Sequence, residues 1–89
     1  MKTTIIQIGN SDNKLTQFEW SNFILGIDSI ISQSKFHFRG GSSIDSPFQN
    51  FCWVIEGELF VNEISQITNL REKYNQDSVA ITEGETKFI

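Results

Sequence analysis

The sequence predicts an α+β domain in which two helices lie on one face of a mostly antiparallel sheet. Three observations predict it. The chain opens on a β-branched run, "TTIIQIG". Two later stretches carry apolar residues at three- and four-residue steps, the mark of an amphipathic helix. Short strand-like segments bounded by glycine, serine and asparagine fill the intervals. The resulting order, strand, helix, strand, strand, helix, strand, is the split βαβ or ferredoxin-like plan, βαββαβ.

Each element has its own justification. Thr3 to Gly9 reads as a central strand, and "GNSDNK" as the loop after it. Thr16 and Glu19 stand in capping-box spacing and start the first helix. Trp20, Phe23, Ile24, Ile27, Ile30 and Ile31 form its apolar face, which runs to about Ser34. "KFHFRG" alternates, with Phe36 and Phe38 on one side and Lys35, His37 and Arg39 on the other, as in a half-exposed strand near a sheet edge. "GGSSIDSP" is a turn closed by Pro47, the only proline.

The third strand lies in "FQNFCWVIEGELF", from Phe48 to Phe60. It is apolar without relief from Phe51 to Ile55, so both its faces need cover. Periodicity leaves open whether Phe51, Trp53 and Ile55 or Cys52 and Val54 point away from the helices. From Glu56 to Phe60 two readings compete, a hairpin around Gly57 or a strand end followed by a helix start. The second helix carries Ile64, Ile67, Leu70 and Tyr74 on one face, with Asn62 as its cap and Arg71 and Lys73 in its last turn. "SVAIT" is the last core strand, and "EGETKFI" offers an extra C-terminal strand after a glutamate–glycine turn.

The 89 residues make a single domain, 1–89. A net charge of −4 disfavours a broad grip on nucleic acid. It fits plain solubility or an acidic surface that meets a basic partner. One cysteine, Cys52, excludes an internal disulfide, and its apolar setting suits a buried thiol rather than a nucleophile. No apolar run reaches the length of a signal peptide's core or of a membrane span, so a cytoplasmic protein without membrane contact is expected.

The chemistry-bearing residues are few. Lys35, His37 and Arg39 form a cationic strip able to hold a phosphate or carboxylate, or simply a solvated strand face with charged edge protection. Gly40, Gly41, Ser42 and Ser43 beside it combine close backbone approach with hydroxyl donors, or serve as ordinary turn chemistry. Gln49 and Asn50 open the third strand, and Gln76, Asp77 and Ser78 open the last. In this plan such residues converge at one end of the sheet, where they could read a polar ligand by hydrogen bonds. A single histidine and a distant cysteine argue against a metal site, and no cofactor fingerprint or catalytic constellation is present.

"IIQIGNSDNKLTQFEWSNF", "QNFCWVIE" and "YNQDSVAITEGETKFI" together resemble small proteins of phages and bacteria, over most of the chain. Several compact phage proteins of this size counter host immunity by sequestering a nucleotide signal or blocking an effector. The resemblance therefore implies a phage anti-defence role in the host cytoplasm. The expected function is a non-enzymatic, homo-oligomeric module that needs no cofactor and binds a small anionic, nucleotide-like ligand. The contacts expected are Lys35, His37, Arg39, Gly40 to Ser43, Gln49 and Asn50. The alternative is an inhibitor of a host defence protein, or an acidic nucleic-acid mimic, using Glu56, Glu58, Glu83 and Glu85.

Overall fold

A computed structural model describes residues 1–43 and 46–89; two positions of the expected turn, 44 and 45, lie outside the described residues. The elements run β1 (Lys2–Gly9), a short 3-10 turn (Ser11–Asn13), α1 (Gln17–Ile30), β2 (Phe36–Gly41), β3 (Asn50–Glu56), α2 (Val61–Lys73) and β4 (Ala80–Glu85). The sheet order is β2-β3-β1-β4, and every neighbouring pair is antiparallel. This is the split βαβ arrangement the sequence predicts.

The first helix begins as its cap dictates. Thr16 Oγ1 accepts the Glu19 amide at 3.2 Å, and Glu19 Oε1 accepts the Thr16 amide at 2.9 Å. Trp20, Phe23, Ile27 and Ile31 are buried, while Ile24 and Ile30 pack half-buried at the margin. The helix ends at Ile30, a turn earlier than the apolar pattern suggests.

The strand β3 ends at Glu56 and no hairpin follows. Gly57 takes a φ of +83°, which glycine alone adopts freely, and its amide donates to the Lys2 carbonyl at 2.8 Å. The chain then enters α2. Asn62 is not the cap. The cap position is Phe60, whose amide donates to the buried Glu63 carboxylate at 2.7 Å. A carboxylate at the third helical position satisfies an orphan amide and suits the helix dipole, so it serves without a polar cap side chain. Ile64 stays 41% exposed, off the face formed by Ile67, Leu70 and Tyr74. Gly84 does not turn the chain either. It lies inside β4, and residues 86–89 continue without forming the extra strand.

Register settles which side of β3 faces the helices. Thr4 stands opposite Ile55, Ile6 opposite Trp53 and Ile8 opposite Phe51, and all but the half-buried Phe51 are buried. Cys52 and Val54 therefore share the open face with Gln7 and Ile5.

The alternation expected in β2 is overturned. Phe36 pairs with Ile55 but Phe38 pairs with the adjacent Val54, so His37 is an extra residue in a bulge. One inserted residue reverses side-chain parity beyond it. Phe36 keeps to the helix side, Phe38 turns to the open face at 54% exposure, and Arg39 turns to the helix side.

Candidate functional site

The bulge disperses the cationic strip. Arg39 reaches α1, where Nε and Nη2 grip both oxygens of Asp28, the Nε bond at 2.8 Å. Asp28 also accepts the Trp53 indole N–H at 2.8 Å. The guanidinium beside it holds the Asp28 carboxyl below the usual carboxylate range, against the opposing effect of burial. The same contact raises the Arg39 pKa. His37 sits 3.7 Å from Glu56 and packs near the Phe88 ring. Lys35 borders an open groove of about 540 Å³ with Lys2, Glu56 and Glu58. These three side chains do not converge on one ligand.

The glycines of the expected loop are structural. A Cβ at Gly41 would lie 2.2 Å from the Asn50 carbonyl oxygen, so the backbones of β2 and β3 touch where only glycine fits. A Cβ at Gly40 would meet the Phe38 ring at 3.1 Å. Ser42 closes the end of this pair, with its hydroxyl accepting the Asn50 amide at 2.9 Å. Ser43 lies just beyond β2 and is exposed.

The polar strand starts do converge. Gln49, 4% exposed, exchanges amide hydrogen bonds with Gln17 at 2.7 and 3.0 Å and accepts from Asn10 Nδ2 at 3.1 Å. Asn10 also holds both backbone groups of Leu15. Buried Gln76 accepts the Ser11 amide at 2.9 Å, and Lys14 pairs with Asp77 at 3.2 Å. The loop after β1 is thus a locked polar turn, with Asp12 and Asn13 at positive φ, and its Ser11 amide is already engaged.

Beside this network a cleft of about 200 Å³ opens between α1 and the β2–β3 edge. Gln17, Trp20, Ser21 and Ile24 of α1 form one wall; Gln49, Phe51 and Ser42 form the other. None of these side chains is ionisable. Arg39 lies over the Phe51 ring at 4.8 Å, behind the wall. Of the expected contacts the cleft gathers Ser42 and Gln49, with Asn50 hydrogen-bonded alongside. The sequence places Ile24 in the apolar face of α1 and Ser21 away from it, and does not single out Gln17, so the three do not read as one wall. Trp20 reads as core, and the side of β3 to which Phe51 belongs is left open by the sequence.

Lys2 bonds Glu58 and stands 3.9 Å from Glu83, which raises the lysine pKa chiefly through Glu58. Cys52 sits on the open face, and burial pushes its thiol up, away from the reactive thiolate. Among the described residues no cluster of metal-ligating side chains occurs, and no helix is long and apolar enough to cross a membrane. No known family, curated protein or solved structure matches the chain.

Proposed function

We propose that the chain is a non-enzymatic binding module that takes its ligand in the cleft between α1 and β3. One observation carries this reading. The aromatic groups of Trp20 and Phe51 stand beside the amides of Gln17 and Gln49 and the hydroxyls of Ser21 and Ser42 around one small cleft. Such a wall holds a flat ring by its apolar faces and reads its edge by hydrogen bonds. A cavity of roughly 150 Å³ already accepts benzene. About 200 Å³ therefore suits a single planar ring with amide-like edges, such as a nucleobase. The sugar and phosphate of a nucleotide would remain outside. The nucleotide-like ligand is thus kept for its ring and given up for its charge, since the nearest arginine is engaged by Asp28. A module of this kind acts by sequestration, the mode the phage resemblance implies.

Thermal shift and calorimetric titration with the common nucleosides and their monophosphates test this. At least one nucleoside should raise the melting temperature, because a ligand specific to the native state stabilises it by mass action. Its monophosphate should bind within about threefold of it, as a difference under roughly 0.7 kcal/mol adds little. No shift with any nucleoside at millimolar concentration would overturn the reading. A strong preference for the phosphate would return the site to the cations.

A second reading, a module that blocks a protein effector, rests on a different observation. Phe60, Val61 and Ile64 at the start of α2 are 71%, 86% and 41% exposed and adjacent. Exposed apolar groups gathered in this way mark contact surfaces.

A further inference from the structure

Beyond β4 the chain runs across the open face of the sheet. The Thr86 amide donates to the Met1 carbonyl at 2.8 Å, and its hydroxyl meets that of Thr3 at 2.6 Å. Two residues on, the Phe88 ring lies 6.0 Å from the ring of His37. β4 and β2 are opposite edges of the sheet, so residues 86–88 pass over the strands between them. Thr3 of β1 is only 5% exposed beneath them, although by register it points away from the helices.

This segment is lightly held. None of residues 86–89 is buried, and Phe88 is 71% exposed. Its root is a backbone bond and a pair of hydroxyls, and its tip is a contact between two rings. A segment with so little buried surface opens at small cost, without unfolding of the domain.

The ring under the tip is titratable. The bulge in β2 brings His37 to the open face, where its Nε2 stands 3.7 Å from Glu56 Oε1. Glu56 stands opposite Thr3 on the same face. The His37 side chain is 24% exposed, set between this carboxylate and the Phe88 ring. Among the described residues no other carboxylate, that of Ile89 included, comes within ion-pairing distance of it. Lys35 lies two residues before His37, and Lys87 is next to Phe88. Arg39 is turned to the helix side and engaged by Asp28, and Lys2 is paired with Glu58.

We propose that residues 86–88 are a proton-sensitive strap, closed when a protonated His37, steadied by Glu56, holds the Phe88 ring, and loosened when the imidazole is neutral. An imidazolium is drawn to an aromatic ring by its charge, and the neutral ring is not. Histidine is the side chain that ordinarily changes charge between about pH 5 and 8. Protonation favours the closed form, so the strap is tightest on the acid side and loosens as pH rises through the imidazole's titration. Opening uncovers Thr3 and lengthens the free part of the sheet face. The cleft lies on the helix side of the sheet, so the strap acts independently of it.

Solution NMR of the full chain at about pH 5.5 and pH 8 tests the proposal. Cross-relaxation between the Phe88 and His37 rings reads the tip, and exchange of the Thr86 amide, corrected for its intrinsic rate, reads the root. Both should be stronger in acid, with Thr86 protected about threefold more at the lower pH. His37→Gln and Glu56→Gln should each remove the difference. Phe88→Ala should bring Thr86 in acid down to the protection it has in the wild type at the higher pH. The Tyr74 amide, bonded to the Leu70 carbonyl at 3.1 Å in α2, lies off the strap and should not change. Equal protection of Thr86 at the two pH values, a difference that survives His37→Gln, or an equal change at Tyr74 would each overturn the proposal.

Discussion

Asp28 on α1 accepts the indole N–H of Trp53 on β3 at 2.8 Å, and through that bond the polar rim of the helix is tied to the centre of the sheet. Trp53 is fully buried, and Asp28 is the partner its N–H requires. The second carboxylate oxygen, together with the first, holds Arg39 from β2. One side chain thus links three elements, and the arginine expected to hold an anion is a fastener of the fold instead.

Replacing Asp28 by alanine should destabilise the domain by about 2–4 kcal/mol. It leaves the buried indole N–H unpaired and removes the charge-assisted bonds of Arg39. Asp28→Asn, which can still accept from Trp53, should cost about half as much. Urea denaturation of both variants checks the order. Equal losses would mean that the ion pair, not the indole bond, carries the effect.

The same contact gives the acid limb of stability a definite sign. The Asp28 carboxyl is depressed in the folded chain by Arg39 and by the Trp53 bond. A depressed carboxyl contributes stability that is fully present above its unfolded value, about 3.9, and is lost as pH falls through the lower folded value. The melting temperature of the wild type should fall more steeply below about pH 4 than that of Asp28→Asn. Parallel acid limbs would show that other carboxylates set the slope.

Gly41→Ala should destabilise the chain by about 1–3 kcal/mol, although the position lies at a strand end. The new methyl would meet the Asn50 carbonyl and the Phe51 backbone, neither of which can rotate away as a side-chain tip could. Gly26→Ala is the contrasting case. There the nearest atoms belong to the mobile end of Leu70, and alanine favours the helix. Chemical denaturation of the two variants should therefore give clearly different shifts in midpoint.

The parts legible in the sequence were those set by local chemistry. The Thr16–Glu19 box, the Trp20–Ile31 apolar face and the order of strands all follow from spacing alone, and each stands in the fold as read. The strip of Lys35, His37 and Arg39 was misread because one residue of bulge reverses parity, and no residue in "KFHFRG" announces the bulge. The cap of α2 was misplaced because a buried glutamate does the work of a polar cap from inside the first turn. The cleft was half legible. Convergence of the strand-start amides follows from topology, but their partner Gln17 and the aromatic walls are brought together only by the packing of α1 on the sheet.

Gln17 and Gln49 separate stability from binding, because they share one pair of hydrogen bonds but not one environment. Gln49 is buried and also accepts from Asn10, which itself holds Leu15. Gln49→Leu removes one of the two acceptors of the buried Asn10 amide and should cost about 2–3 kcal/mol of stability as well as ligand affinity. Gln17 is exposed at the first turn of α1, where water can replace its lost bonds to Gln49. Gln17→Leu should therefore cost less than about 1 kcal/mol of stability. It should still weaken binding of a nucleoside in the cleft by roughly tenfold, the worth of one hydrogen bond to a planar edge. Denaturation and calorimetry on both variants read the two quantities apart. If Gln17→Leu left nucleoside affinity unchanged, the amide edge would play no part in recognition, and the cleft would bind by its aromatic walls alone.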